Sequence, residues 1–490
     1  MEAASTFTKS AATETGQRTI VLDLDETLLS TNVLHELALV YVKQNPFRLL
    51  RLISWLVKGR AFLKNRLSQL VTIDVDLLPA NPTVVAYAEE KKRRGARIVL
   101  ATAADSLIAR RIARRFSFID DVIGTENGVN LKGVEKARRL TALFPDGFTY
   151  VGDSKPDLQV WRVAKSAVVV TGSASLVRSV EKISRIELKV GIAGSGKAML
   201  RAMRPHQWAK NALVFAPLIL AGLSSSGVAW LQAAVAFMAL SLLASGTYIL
   251  NDLFDLQDDR AHWSKRNRPV ASGALSISRG LALCAALLLA ATGLALAAGQ
   301  AAMLLLLAYG ALTLSYSMAL KRQPITDAFV LATLFTLRLG VGIAAVGAMV
   351  SPWLLVFSMF LFGSLSFAKR YTELNRSDEL DLAKINGRGY VVGDAPLVLA
   401  FGMASGLGAI IIMVLYLIND AFLAGFYAEP LWLWSFPAIL FLWIGRVWLV
   451  SHRGQLHDDP VAFAVRDRSS LIMAGFMALA FVAATTGLQF

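Results

Sequence analysis

The stretch Asn251-Asp252-Leu253-Phe254-Asp255-Leu256-Gln257-Asp258-Asp259-Arg260-Ala261-His262 follows a long apolar segment and leads into Lys265-Arg266-Asn267-Arg268-Pro269. Written on a helix, Asp252, Asp255, Asp259 and His262 fall within roughly 80° of one another. Carboxylates stacked this way at a membrane surface repel unless a cation holds them, and Mg²⁺ bridging to a diphosphate does that. The basic cluster downstream can take the remaining phosphate charge. A merely solvated loop between two membrane helices would not require this spacing.

The composition fits a chain of two kinds. Of 490 residues, 55% are hydrophobic and 17% charged, and the mean hydropathy is +0.52. That is too apolar for a soluble protein and too charged for membrane throughout. Residues 1–200 hold 30 Lys/Arg against 20 Asp/Glu, and residues 201–490 hold 20 against 15, giving +10 and +5 of the net +15. A basic soluble half suits an anionic membrane surface and phosphorylated substrates. No nucleic-acid motif is present, so the membrane is the preferred partner. The single cysteine, Cys284, excludes an internal disulfide or a Cys-rich metal site. The polar stretch Met1 to Thr19 lacks the apolar core of a signal peptide and reads as a cytoplasmic tail.

From Asn211 onward about nine apolar stretches approach spanning length, at 211–224, 227–250, 278–297, 300–318, 325–348, 352–368, 395–418, 431–450 and 469–488. Connections near 251–277, 319–324, 369–394 and 451–468 are rich in Lys and Arg, and the alternate ones contain none. The positive-inside rule puts the charged connections and the N-terminal half in the cytoplasm. Arg201, Arg204, Trp208 and Lys210 fit a short interfacial helix before the first span. Arg338 sits inside the fifth stretch, where an ionisable group by default faces a polar cavity. Asp327, eleven residues earlier on the same helix face, could line that pocket; a purely structural hydrogen-bonding role for Arg338 is the alternative.

These residues resemble the UbiA-type prenyltransferase superfamily, nine-helix membrane proteins whose N-D-x-x-D motif binds Mg-diphosphate. Within it, Met203 to Asn211, Lys265 to Pro269, Tyr316, Lys321, Asp327, Arg338, Lys369-Arg370-Tyr371-Thr372-Glu373-Leu374, Asp459-Pro460-Val461 and Asp467-Arg468 look like the polyprenyl-phosphate phosphoribosyltransferase branch. The resemblance implies transfer of phosphoribose from 5-phosphoribosyl diphosphate (PRPP) to decaprenyl phosphate or a similar lipid. Aromatic prenyltransferases of the superfamily carry a second D-x-x-x-D cluster. Here the equivalent loop offers Lys369, Arg370 and Glu373, and Asp378, Glu379 and Asp381 read as solvated. On this reading Asp252, Asp255 and Asp259 hold Mg²⁺, while Asn251 and His262 orient substrate or metal shell. Lys210, Lys265, Arg266, Arg268, Tyr316, Lys321, Asp327, Arg338, Lys369, Arg370 and Glu373 line the substrates. The lipid phosphate is already ionised, so the main demand is stabilisation of the leaving diphosphate.

In the N-terminal half, Thr19 to Leu24 reads as a buried strand ending at Asp23-Leu24-Asp25-Glu26-Thr27. Arg97 to Ala101 ends at Thr102, and Phe148 to Val151 ends at Gly152-Asp153-Ser154-Lys155-Pro156-Asp157. Acidic residues at strand ends with helical patterns between them describe an open, Rossmann-like α/β sheet. The three motifs in order resemble the haloacid dehalogenase-like phosphohydrolase superfamily, over roughly residues 17–175. That resemblance implies Asp23 as nucleophile, Asp25 as acid and base, Thr102 as a phosphoryl ligand, and Mg²⁺ on Asp23, Asp153 and Asp157. It also asks for a lysine, Lys132 or Lys136, of which Lys136 is preferred.

Residues of about 30–95 leave room for a helical cap. Within it Phe47 to Lys58 is apolar and basic; it either rests on the bilayer or packs inside the cap. Gly191 to Lys197 imitates a P-loop, but Ala198 replaces the Ser/Thr that would bind Mg²⁺, so 176–200 reads as linker. The expectation is therefore a two-domain chain: an α/β phosphatase domain at 1–175, and an all-α polytopic membrane transferase at 201–490. It would use one Mg²⁺ in each domain, PRPP, a polyprenyl phosphate and the bilayer, with room for a homo-oligomer. It would sit in a bacterial cytoplasmic membrane.

Overall fold

The computed structural model describes residues 18–45, 47–126, 131–191, 195–379, 388–456 and 460–487. Six parallel strands, β1 (Thr19–Leu22), β2 (Arg97–Asp105), β3 (Asp121–Thr125), β4 (Phe148–Gly152), β5 (Ser166–Val170) and β6 (Ile186–Val190), lie in the order β3-β2-β1-β4-β5-β6. All pairings are parallel, with Thr19 beside both Arg97 and Phe148. A strand buried on both faces must be apolar at successive positions. In β1, Ile20 and Leu22 enter one core and Val21 the other. The strand order reverses direction between β1 and β4, which makes their C-terminal ends the expected ligand crevice.

Between β1 and β2 come α1 (Val33–Gln44), α2 (Arg48–Val57), α3 (Arg60–Leu70) and α4 (Pro82–Arg93). The first three fill the interval expected of a cap. Asn32 starts α1 by accepting from the amides of Leu34 and His35, and Asn81 caps α4 ahead of Pro82. Later connections carry α5 (Ser106–Ala113), α6 (Val134–Leu143), the short α7 (Leu158–Trp161) and α8 (Ala174–Glu181). The stretch read as linker is therefore corrected: α8 runs through 181 and 186–190 is the sixth strand, hydrogen-bonded to β5. Ile186-Glu187-Leu188-Lys189-Val190 alternates in exposure, as an edge strand with one covered face does. Residues 192–194 of the P-loop-like stretch lie outside the described residues, and α9 (Ser195–Met203) follows.

The expected interfacial helix breaks at Arg204, whose φ is +54 ahead of Pro205. Proline lacks an N–H and disfavours a helical residue before it. The first apolar stretch is then a run of 3₁₀ turns (Pro205–Phe215) and a five-residue α10 (Ala216–Leu220). This irregular segment lies close to a later helix: a Cβ on Gly342 would collide with the Val214 carbonyl oxygen.

Among the described residues, eight helices are long and apolar enough to cross a membrane: α11 (Gly227–Phe254), α13 (Ile277–Ala297), α14 (Gln300–Met318), α15 (Thr326–Val346), α16 (Pro352–Glu379), α17 (Ala395–Tyr416), α18 (Ser435–His452) and α20 (Arg468–Thr486). The short α12 (Leu256–Ala261) and α19 (Pro460–Ala464) lie in connections. The chain is a multi-pass membrane protein carrying an α/β domain.

Two compact units result, one of residues up to 202 with 252–282, the other of 203–251 with 283–490. In the first, α12 is fastened to α1 by a buried ion pair. Arg260 Nη2 and Nη1 donate to Glu36 at 2.6 and 3.0 Å, and Arg260 Nε donates to the Ala271 carbonyl at 3.0 Å. Thr31 Oγ1 donates to the same Glu36 at 2.5 Å.

Candidate functional site

The strand-end carboxylates of the α/β domain come together. Asp23 leaves β1 with its amide bonded to the Val151 carbonyl of β4 at 2.9 Å. Lys136, on the buried face of α6, donates to Asp23 Oδ1 at 2.6 Å and to the Tyr150 hydroxyl at 2.9 Å. That hydroxyl donates to Asp157 Oδ1 at 2.8 Å, while Asp157 Oδ2 accepts from Ser154 N and Oγ at 3.0 and 2.8 Å. Thr27 Oγ1 donates to Asp153 at 3.3 Å. Lys132 is exposed, so the choice between the two lysines falls on Lys136.

Burial dominates the electrostatics here. It raises Asp23 to about 6 against the opposing pull of Lys136, and raises Asp153 to about 9 with help from the Asp23 and Asp157 charges. Burial alone would lower Lys136, but Asp23 and Asp157 outweigh it and hold the ammonium above its usual value. Asp23, Asp153 and Asp157 each offer an oxygen, all within 4.8 Å of one another. Three carboxylates against one ammonium leave negative charge that a hard divalent cation would neutralise, so the donor set fits Mg²⁺.

Asp25 stands apart from this group. Its Oδ1 accepts from Val33 N, the first residue of α1, at 2.7 Å, and burial raises its pKa. The turn between them passes through Glu26 at φ +56. A small recess beside Asp25 is lined by Leu34, Leu37, Lys64 and Ile108. Lys64, absent from the sequence reading, donates to the Ala103 carbonyl at 2.6 Å. Thr102 is fully buried and its Oγ1 accepts from Ala104 N at 3.0 Å.

The aspartate-rich segment differs from the single helical stripe expected. α11 ends at Phe254, Asp255 caps α12 at φ −90 and ψ 12, and His262 is already extended. Asp252 and Asp259 are both buried and share one cation, Arg268, whose Nη1 lies 3.0 and 2.6 Å from them. A guanidinium thus holds Asp252 and Asp259 where a metal was expected. Burial raises Asp259 against the pull of Arg268. His262 stacks on Trp263 and bonds to Ser264, away from the stripe, its pKa lowered by desolvation and by Lys265 and Arg268. Lys265 and Arg266 are exposed, and Asn251 is half-buried.

In the second unit, Asp327 is fully buried at the start of α15 and gathers cations. Arg388 Nη1 donates to it at 3.1 Å, Tyr390 Oη at 2.6 Å, and Arg370 Nε lies 3.0 Å away as an ion pair. Arg388 also reaches the Tyr316 hydroxyl at 3.1 Å and lies 3.4 Å from Glu373, which pairs with Arg370. Arg370 is wholly buried, and among the described residues its Nη2 has no hydrogen-bond partner. Arg388 and Tyr390 escaped the sequence reading; the only signal was an Arg-Gly-Tyr run after the polar loop.

Arg338 does not share the Asp327 network. It donates to Asn211 Oδ1 at 3.0 Å, the Leu334 carbonyl at 2.7 Å and the Tyr309 hydroxyl at 2.9 Å, and its guanidinium carbon lies 4.6 Å from the Phe335 ring centroid. The expected polar cavity is corrected in favour of the structural alternative. Lys210, Lys321 and Lys369 are half-buried and have interactions of their own. Asp459 and Asp381 lie outside the described residues, as does the side chain of Glu379, and Asp378 is exposed.

Comparison with known proteins agrees with this division. Residues 212–486 match the UbiA prenyltransferase family and residues 20–162 the haloacid dehalogenase-like hydrolases. An uncharacterized protein of Sinorhizobium fredii is 37% identical over 470 residues, 95% of this chain and 90% of its own length. The nodulation protein NoeC of Azorhizobium caulinodans is 33% identical over 284 residues, 57% of this chain and 91% of its own. The decaprenyl-phosphate phosphoribosyltransferase of Corynebacterium glutamicum is 36% identical over 182 residues, 36% of this chain and 54% of that protein. The chain belongs to the UbiA prenyltransferase family, with a haloacid dehalogenase-like domain fused ahead of its membrane half.

Proposed function

We propose that the membrane half transfers 5-phosphoribose from PRPP to a polyprenyl phosphate such as decaprenyl phosphate, and that the N-terminal domain then removes the 5-phosphate. The product would be polyprenyl-phosphoryl-ribose, a precursor for cell-envelope glycans. The observation that carries this reading is the cationic set around Asp327. Arg370, with Lys369 and Glu373, follows the sixth apolar stretch, where aromatic prenyltransferases of the superfamily carry a second acidic cluster that helps bind the prenyl diphosphate; Arg388 joins Arg370 on Asp327, and buried Arg370 Nη2 has no described partner. Two anionic substrates suit such a set. Similarity to decaprenyl-phosphate phosphoribosyltransferases supports the same choice.

In the transferase, the lipid phosphate oxygen attacks the anomeric carbon and diphosphate leaves. Arg370, Arg388, Lys321 and Lys369 are the groups assigned to the phosphates, with Asp327 and Glu373 orienting the two arginines. Asp252 and Asp259, already facing one cation, would with Asp255 hold Mg²⁺, which supplies charge neutralisation for the leaving diphosphate. In the phosphatase, Asp23 attacks phosphorus while Lys136 fixes its carboxylate. Asp25, kept protonated more readily by burial, gives its proton to the leaving oxygen and then takes one from water. Mg²⁺ on Asp23, Asp153 and Asp157 would let the carboxylate approach an anionic ester. We assign the phosphatase to residues 18–190, facing the cytoplasm of a bacterial inner membrane.

The test is incubation of the full chain with Mg²⁺, decaprenyl phosphate and ribose-labelled PRPP, with lipid products identified by mass. Wild type should yield ribosylated lipid lacking the 5-phosphate, and Asp23→Asn should accumulate the phosphorylated form. Absence of labelled lipid with several prenyl phosphates would reject phosphoribosyl transfer in favour of an aromatic acceptor.

A further inference from the structure

We propose that α2 is a membrane-docking helix by which the cap of the N-terminal domain lies on an anionic bilayer surface. No residue of α2 is buried. Leu49, Leu50, Ile53, Leu56 and Val57 are 50–84% exposed in the whole chain. At 100° per residue these five positions fall within about 120° of one helix face. The helix is held from its other side, where Leu52 and Trp55 pack on the domain core and Trp55 meets the Tyr41 ring at 5.3 Å. The apolar face is therefore not a core face left open by a loose helix. It is presented by a helix anchored elsewhere.

Two observations choose the occupant. First, residues 37–73 contain seven Lys or Arg and no Asp or Glu, in a chain whose whole excess is +15. Arg51 and Lys58 lie on the side of α2 away from its exposed apolar face, the arrangement of a helix lying in the headgroup layer with its cations reaching to phosphates. Second, the described residues include eight helices fit to cross a bilayer, so that surface is always at hand. An apolar stripe backed by cations on the opposite face, in a segment without acidic residues, matches acidic lipid headgroups over acyl chains. The alternative of burial inside the cap does not survive, because the stripe is exposed. The inference does not depend on phosphatase activity.

The test uses the full chain in lipid nanodiscs. In a Cys284→Ala background, which removes the only native cysteine, Ile53→Cys is spin-labelled, with Arg138→Cys on exposed α6 as an aqueous reference. Collision with oxygen, which partitions into lipid, is compared with collision with a water-soluble nickel chelate. In discs containing anionic lipid, the label at 53 should favour oxygen over nickel, at a depth of about 5–10 Å, while the reference favours nickel. Arg51→Glu combined with Lys58→Glu should bring the label at 53 back to water. A label at 53 as open to nickel as the reference overturns the proposal. Shielding from both reagents overturns it too, because protein would then cover the face. Unchanged depth after charge reversal overturns the role of acidic headgroups.

Discussion

At the residue scale, strand direction gathers the carboxylates: whatever follows the parallel strands β1 and β4 emerges at the same edge of the sheet. Which lysine joins them depends on where α6 begins: Gly133 at φ +58 leaves Lys132 ahead of the helix and exposed, and puts Lys136 on its buried face. Once placed, Lys136 makes a prediction. Lys136→Met leaves Asp23, Asp153 and Asp157 buried with no ammonium among them. Breaking such a pair costs about 3–5 kcal/mol. Melting of the variant in EDTA should fall well below wild type, and added Mg²⁺ should restore more of its stability than it gives wild type. Equal responses to Mg²⁺ would show that these carboxylates do not bind the ion. Asp467 offers a second test. It caps α20 and pairs with Arg446, whose hydrogen bond chiefly lowers its pKa to about 2. A depressed carboxylate stabilises the fold fully above its ordinary value of about 3.9. That contribution is lost as pH falls through about 2. Melting curves of wild type and Asp467→Asn should differ at pH 5 and converge near pH 2.

At the scale of elements, apolar length gave eight of the nine membrane stretches, because each is a continuous run of about the length a bilayer requires. The remaining stretch, 211–224, is met only approximately: it is built of 3₁₀ turns through Phe215 and the short α10, with Pro217 inside it. Phase failed in the aspartate segment. Extrapolating one helix from 252 to 262 assumes no break, and the chain breaks at Asp255. Arg388 and Tyr390 were invisible for another cause: their partner Asp327 is about sixty residues away, and only tertiary packing joins them. The Glu36–Arg260 pair is the same kind of contact, with side chains 1% and 4% exposed. Removing one member strands a buried charge, whereas removing both does not. Glu36→Gln should destabilise the full chain by about 3–5 kcal/mol, and Glu36→Leu with Arg260→Met should recover most of that. Thermal unfolding in detergent checks both, and a double variant as weak as the single would mean the pair acts through something other than charge balance.

At the scale of the molecule, the proposed pair of reactions, in which the product of one is the substrate of the other, needs two separable sets of groups. Asp23 and Asp25 follow β1 and Lys136 reaches Asp23 from α6, whereas Asp252 lies in the last turn of α11 and Asp259 on α12. Each carboxylate group has its own cation in the first unit: Arg268 takes Asp252 and Asp259, and Lys136 takes Asp23. Asp252→Asn should therefore abolish ribosyl transfer, by about 10²-fold or more if it removes a charge that stabilises the leaving group. The same variant should hydrolyse a small soluble phosphate monoester at the wild-type rate. Asp23→Asn should do the reverse, with normal consumption of PRPP and no ester hydrolysis. Each rate is measured on full-length protein in the same detergent, so that loss of fold would show in both. If Asp252→Asn also slowed the soluble ester, the two catalytic groups would be coupled, and the first unit would have to be treated as one device instead of a phosphatase joined to a transferase loop.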